Sequence, residues 1–279
     1  MQDYQILHIN RFKMKNKTKE ETAFIENCRY LNLKHLEQEY NNLIRKADET
    51  DMGYAAFMRH VVECEVSAKT ERSISYRLES SRLPKPYKLL DDFDFAFQPQ
   101  LRKKLIMELA TLEFLDRHES VLLIGNSGTG KSHIARSLAF LACRKCHKVL
   151  YTTCSDMLSD LNRGVYEKTL STRLRKYVNP SLLVIDEMGC DRLELEVTKE
   201  AHLLFKVINE RYNQEKSLIF TTNVEERDWA EFLGDPISTQ AILDRVFHHS
   251  ILVTIKGPSY RVHQGDILRK RYEEEQNNP

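Results

Sequence analysis

Gly125, Gly130, Lys131 and Ser132 stand at the spacing G-x-x-x-x-G-K-S inside the stretch LIGNSGTGKSHIA, residues 123–135. Glycines at Gly125, Gly128 and Gly130 let the backbone curl so that successive N–H groups face an anion. The Lys131 ammonium then reaches the outer phosphates of a nucleotide, and the Ser132 hydroxyl suits Mg²⁺, which prefers oxygen ligands. The chemistry is polyphosphate binding, with Gly125, Asn126, Ser127, Gly128, Thr129, Gly130, Lys131 and Ser132 as the cradle. Val121 to Ile124 form an apolar β-type run ahead of it. Ile134, Ala135, Leu138 and Leu141 recur at helical spacing behind it. Strand, loop and helix N-terminus are the context the motif requires.

A second stretch, SLLVIDEMG, supplies carboxylates. Leu182 to Ile185 read as a buried strand. Asp186 at its carboxyl end can hold Mg²⁺ opposite Ser132, and Glu187 can orient and deprotonate a water for attack on the γ-phosphate. A kinase acting on a small molecule has less use for that second carboxylate, because its substrate is the nucleophile. SLIFTTN ends another strand at Asn223. If that strand lies between the other two, Asn223 emerges beside the γ-phosphate; it reads equally as the N-cap of a following VEERDW helix. In AILDRVFHHSILV, the side chains Ile242, Leu243, Val246 and Phe247 make the apolar face of a short helix, and Arg245 projects away from most of them. Arg245 reads either as a finger reaching a neighbouring subunit's nucleotide or as a surface arginine paired with Asp244 or Glu231. His248 and His249 are adjacent and diverge, and they read as non-metal.

Five apolar runs must position these groups: Val121–Ile124, Val149–Thr152, Leu182–Ile185, Leu218–Thr221 and Ile251–Ile255. Helical patterns separate them, which argues for an α/β fold with a parallel sheet covered on both faces. Ahead of them, Leu101 to Arg117 reads as one helix. Leu33, Leu36, Tyr40, Leu43 and Ile44 form one helical stripe, and Tyr54, Phe57, Met58, Val61 and Val62 form another. Pro84 and Pro86 make a linker. Residues 1–28 (Arg11, Lys13, Lys15, Lys17 and Lys19 among them) read as a flexible basic tail.

The chain has 279 residues, a net charge of +1 and 30% charged side chains. No global charge drives nucleic-acid binding, so any such contact must be local. No apolar run has transmembrane length and no signal peptide is evident, so a cytoplasmic protein with no membrane contact is expected. The six cysteines are then expected to be reduced. CRKCH at 143–147 matches a haem-attachment pattern but sits at the end of the helix after the phosphate loop, and is read as a helix end.

Together GNSGTGKSHIA, LLVIDEMG, FTTN, LDRVFHHS and GPSYR, with LLDDFDFAF ahead of them, resemble the AAA+ ATPases of the initiator and helicase-loader group. The nearest likeness is to the IstB-like transposition helper ATPases of bacterial insertion sequences, related to DnaC. LDRVFHH combined with GPSYR carries most of the specificity. The resemblance implies an AAA+ P-loop NTPase core with a five-stranded parallel sheet, preceded by a small all-helical domain and lacking a full C-terminal lid. The expected segments are a tail at 1–28, a helical domain at 29–86, an ATPase domain at 87–262 and a charged tail at 263–279.

The same resemblance implies ATP and Mg²⁺ as cofactors, Lys131, Asp186, Glu187, Asn223 and a trans-acting Arg245 as catalytic residues, and Ser132 and Asp186 as metal ligands. It implies a homo-oligomer, double-stranded DNA and a transposase as partners. It directs attention to MLSDLNRGVYEKTLSTRLRKYV, where Arg163, Lys168, Arg173, Arg175 and Lys176 form a DNA-backbone track or a solvated helix face. Arg261 in GPSYR is a candidate for the arginine that other AAA+ proteins carry on their lid. The alternatives are a helicase loader acting on single strands, a P-loop kinase, and a nucleotide-gated scaffold without turnover.

Overall fold

The computed structural model describes residues 18–189, 197–225, 228, 229, 233 and 236–277. Arg11, Lys13, Lys15, Lys17, Cys190, Glu226, Arg227 and Glu231, on which parts of the sequence reading fall, lie outside them. The chain divides into two compact units after Ser73, ahead of the proline linker.

The first unit is helical. Helices α1 (Lys19–Tyr30) and α2 (Lys34–Glu49) are followed by α3 (Tyr54–Ser80), which begins in this unit. Helix α1 begins within the stretch expected to be a tail, 1–28, and runs past its end. Its start is a reciprocal capping box: the Glu21 N–H donates to Thr18 Oγ1 (3.1 Å) and the Thr18 N–H donates to Glu21 Oε2 (2.9 Å). That T-x-x-E signal was present in the sequence, masked by the surrounding lysines. The apolar stripe of α3 is not core. Tyr54, Met58 and Val62 are exposed, while Glu65 is buried, accepting from the Leu36 N–H (2.9 Å) and from Arg72 (3.0 Å). Helical spacing names a face but does not say what covers it.

The second unit holds the sheet. Strands β1 (Ser120–Gly125), β2 (Val149–Thr153), β3 (Leu182–Met188), β4 (Ser217–Thr222) and β5 (Ser250–Ile255) pair in parallel in the order β2-β3-β4-β1-β5. Alternation along each strand divides its side chains between two cores. Leu123, Val184 and Ile219 face one layer, with α6 (Lys131–Arg144) supplying Ile134 and Leu138. Leu122, Leu183 and Phe220 face the other, which gathers α7 (Cys154–Tyr166), α9 (Val197–Asn213) and α10 (Pro236–His248). Helix α8 (Leu170–Val178) folds back on α7. The five strands fall where the apolar runs place them.

One local expectation is corrected. The single helix over 101–117 is two, α4 (Lys103–Ala110) and α5 (Glu113–Asp116), broken where Leu112 takes φ +67°. The break turns Leu112 and Phe114 into the core, and their burial offsets a left-handed residue costing about 1 kcal/mol. Helix α11 (Tyr260–Asn277), whose Val262 N–H lies 3.4 Å from the Ser259 hydroxyl, runs through most of the expected charged segment 263–279. Cys143 ends α6 inside the core, its thiol pushed up to about 11 by burial.

Candidate functional site

A cavity of about 430 Å³ opens at the carboxyl ends of the strands, where ligands of such sheets sit. Its floor is the phosphate loop between β1 and α6. Gly130 takes φ +98° and Gly128 φ +78°, and a Cβ on Gly128 would stand 2.0 Å from Ser259 Oγ. Glycine is therefore required at 128 for both conformation and space. The Lys131 ammonium donates to the carbonyls of Gly125 (2.7 Å) and Asn126 (2.8 Å), lying along the loop it serves.

Asp186 is 1% exposed and is solvated by neutral donors. Its Oδ1 accepts from the Ser132 hydroxyl (2.8 Å), the Glu187 N–H (3.1 Å) and the Thr221 hydroxyl; its Oδ2 accepts from the Tyr151 hydroxyl. Ser132 and Asp186, expected to share a metal ion, are thus in direct contact. The Ser132 hydroxyl and the Asp186 carboxylate are hard-oxygen donors, which fit Mg²⁺. Tyr151 comes from β2 and Thr221 from β4, the two neighbours of β3. Burial, and then the Asp186 charge, push the Tyr151 hydroxyl well above the usual tyrosine range, which keeps it a donor.

Glu187 points the other way, into the cavity. Pairing of β3 with β4 slips between Ile185 and Met188, and Glu187 takes φ +60°. A bulge of this kind re-aims a side chain beside a site. The strained backbone is held by its N–H, which donates to Thr221 Oγ1 at 3.0 Å. Strand β4 does lie between β1 and β3, so Asn223, just beyond its end, lines the same cavity.

The sequence reading missed the cavity's far wall. Residues 93–98 turn on Asp94, whose Oδ1 accepts from the N–H groups of Ala96 (2.9 Å) and Phe97 (3.0 Å). Phe93 packs on Gly130 and stands edge-on to His133. Phe97 meets Tyr260 at 5.1 Å between ring centroids. Gln98 donates to the Pro258 carbonyl (2.9 Å), and the Tyr260 N–H donates to the Gly128 carbonyl (2.9 Å). GPSY is thereby fastened over the phosphate loop, and Arg261 lines the cavity beside it. The alternating aromatics of FDFAF were the available signal.

Arg245 lies at the opposite end of the sheet. A cleft of about 270 Å³ there is lined by Arg117, His118, Tyr212, Lys216, Arg245 and His249, next to the amino ends of β1, β4 and β5. Arg245 Nε donates to Asn209 Oδ1 (3.0 Å) and Nη1 to the Ala241 carbonyl (2.9 Å). Its guanidinium carbon sits 5.1 Å from the Phe205 ring centroid. The expected alternative, pairing with Asp244 or Glu231, gives way to an amide on α9; Glu231 lies outside the described residues.

The basic segment divides. Gly164 lets α7 and α8 meet closely, since a Cβ there would lie 3.2 Å from Leu170 Cα. This brings Asp160 beneath Arg173 and Lys176: Lys176 donates to it at 2.7 Å, and Arg173 binds both Asp160 and Glu167. Those two cations pair with acids within the helical hairpin. Arg163, Lys168 and Arg175 are exposed, and so is Tyr166 at the hairpin tip, at 81%.

Among the described residues no helix is long and apolar enough to cross a membrane. The profile of the IstB-like ATP binding proteins matches residues 26–266. The chain is 36% identical over 250 residues to the ATP-binding protein of insertion sequence IS5376 from Geobacillus stearothermophilus, covering 90% of this chain and 96% of that one. It is 35% identical over 232 residues to the IS21 ATP-binding protein of Pseudomonas aeruginosa, covering 83% and 86%. Among solved structures, a DNA replication initiation factor aligns with a TM-score of 0.53 at 20% identity, over 69% of this chain and 56% of its own. DnaA from Aquifex aeolicus aligns with a TM-score of 0.51 at 19% identity, over 62% and 51%. The chain spans little more than half the length of these two, and the likeness to them is one of fold. With its phosphate loop, its Asp186–Glu187 strand end and a match over most of its length, the chain belongs to the IstB-like family of insertion-sequence ATP-binding proteins.

Proposed function

We propose that the protein is an ATP-hydrolysing switch that assembles on duplex DNA and helps a transposase engage its target. The observation that carries this is the separation of two half-sites on one sheet. The phosphate cavity with Glu187 opens at the carboxyl ends of the strands, and the arginine cleft opens at their amino ends. A chain so built has its finger on the wrong side to serve its own nucleotide, and stacking of subunits in a head-to-tail manner joins the halves.

In this reading Lys131 leaves the loop carbonyls for the outer phosphates of ATP. Ser132 and Asp186 would hold Mg²⁺, which would supply charge neutralisation on those phosphates. Glu187 takes a proton from water, whose oxygen bonds to the γ-phosphorus as the bond to the bridging oxygen breaks, giving ADP and phosphate. Asn223 orients that water, Arg261 contacts the phosphates in cis, and Arg245 of the next subunit stabilises the transferring group. Arg163, Lys168 and Arg175, with Tyr166 between them, face the DNA. The relatives' association with insertion sequences supports a transposase as the protein assisted.

Sedimentation of the protein with double-stranded and single-stranded DNA, each in ATP and in ADP, tests the proposal. Large complexes on duplex in ATP alone are expected. A preference for single strands would favour a helicase loader, and no complex with either DNA would remove DNA from the account.

A further inference from the structure

Arg245 is held in its cleft by Asn209, Phe205 and Tyr212 from another helix, the Tyr212 ring centroid lying 5.9 Å from its guanidinium carbon. Asn209 accepts from Nε at 3.0 Å across a separation of 36 residues, and Phe205 lies under the guanidinium at 5.1 Å. Asn209 and Phe205 are four residues apart on α9, so they share one face of it. A further contact, Nη1 to the Ala241 carbonyl, is local to α10. Together they occupy Nε and Nη1.

We propose that Asn209 is a positioning residue for Arg245, fixing the inner edge of the guanidinium so that Nη2 meets the phosphate of the neighbouring subunit. This rests on the trans-finger reading above. Three observations favour it over a plain clamp between α9 and α10. The two helices are already joined by Leu204, Val207, Ile208, Ile242 and Val246 in one buried cluster, so the polar contact adds little to their packing. The partner is a neutral amide, which orients a guanidinium without cancelling its charge; a carboxylate would hold the arginine for itself. A free arginine side chain carries rotamer entropy, which a finger must lose before the reaction if it is not already held.

The test is complementation within mixed assemblies on DNA, using Asn209→Ala, Arg245→Ala and Glu187→Gln. Asn209→Ala alone should lose about tenfold in turnover, the weight of one hydrogen bond to a charged group, with KM unchanged. Excess Glu187→Gln subunits, inactive themselves but carrying an intact Arg245, should restore turnover at Asn209→Ala sites, as at Arg245→Ala sites. Phe205→Leu should show the same pattern with a smaller loss. Asn209→Asp, which keeps the bond but pairs the charge, should also lose turnover.

Failure of Glu187→Gln to restore Asn209→Ala, while it restores Arg245→Ala, would make Asn209 a local structural residue and overturn the proposal. Full turnover in Asn209→Ala or Asn209→Asp would overturn it too. If Arg245→Ala itself keeps its turnover or cannot be restored, the trans-finger reading falls, and the role of Asn209 falls with it.

Discussion

Asp186 at the carboxyl ends of the strands and Arg211 at their amino ends are both buried ions, 1% and 0% exposed. Each is solvated by neutral groups. Asp186 accepts from three hydroxyls and an amide. Arg211, on α9, donates to the carbonyls of Tyr177 (2.9 Å), Pro180 (2.9 Å), Ser181 (3.2 Å) and Ser217. Burial pushes the Arg211 guanidinium down to about 9. The difference lies in what adjoins them. Asp186 touches Ser132 on the rim of a cavity, where a metal ion can enter. Arg211 is enclosed by the end of α8 and the starts of β3 and β4, so it stitches chain segments together. A buried charge identifies a site only when space for a ligand lies beside it. Arg245 completes the comparison, a cation at the same end as Arg211 but open to a cleft.

The comparison breaks most visibly through turnover. Glu187→Gln should lower ATP hydrolysis by roughly two to four orders of magnitude while leaving nucleotide binding intact. Arg245→Ala should lower turnover of the DNA-bound assembly about a thousandfold without changing ATP affinity of the free subunit. Steady-state kinetics with a fluorescent-nucleotide titration checks both; equal losses of binding would dissolve the distinction between the two ends.

Arg211→Met should act on stability instead. It leaves several buried carbonyls without a donor, and a loss of about 3 kcal/mol is expected in urea unfolding. The folded fraction should keep its turnover per molecule. A variant as stable as the wild type would show that Arg211 is not the staple its contacts describe.

Tyr151→Phe removes the only hydroxyl on Asp186 Oδ2 among the described residues, with little change in volume. About a tenfold rise in the Mg²⁺ concentration needed for tight nucleotide binding is expected, with metal-free binding unchanged. An unaltered Mg²⁺ titration would limit Tyr151 to packing.

The smallest effect is on pH. The Asp160 carboxyl lies at about 2 against an ordinary 3.8: burial opposes its charge, but hydrogen bonds from Lys176 and Tyr177, and Arg173 beside them, outweigh burial. A carboxyl with the lower pKa in the folded state stabilises the fold above its unfolded value, and that contribution drains as pH falls from about 4 toward 2. Thermal melts across that window should lose part of their slope in Asp160→Asn. Identical slopes would remove the ion pairs from the account of the hairpin.

Much of the nucleotide half-site was legible because it is local. The loop, its flanking strand and helix, and the strand ending in Asp186-Glu187 are each written in fewer than fifteen consecutive residues. The arginine cleft was half legible: Arg245 stood out, but its partner on α9 did not, since Asn209 is an ordinary residue until the two helices pack. The basic segment was legible as a run of cations but not as a hairpin, because counting cations says nothing of the acid folded beneath Arg173 and Lys176. Helix α1 was missed although its capping box was readable, because the lysines around it weighed more.

By itself the sequence determined the order of strands along the chain, the turn glycines of the phosphate loop, the two faces of each strand and the chemistry of its carboxylates. These follow from backbone sterics, side-chain periodicity and functional groups, which act between near neighbours. Only the tertiary structure decided that β4 lies between β3 and β1, that Tyr151 and Thr221 meet on Asp186, that FDFAF and GPSY wall one cavity, and that Arg245 sits at the far end of the sheet on Asn209. Those contacts join residues tens to more than a hundred positions apart, and their free energy comes from burial and desolvation that exist only once the layers have closed.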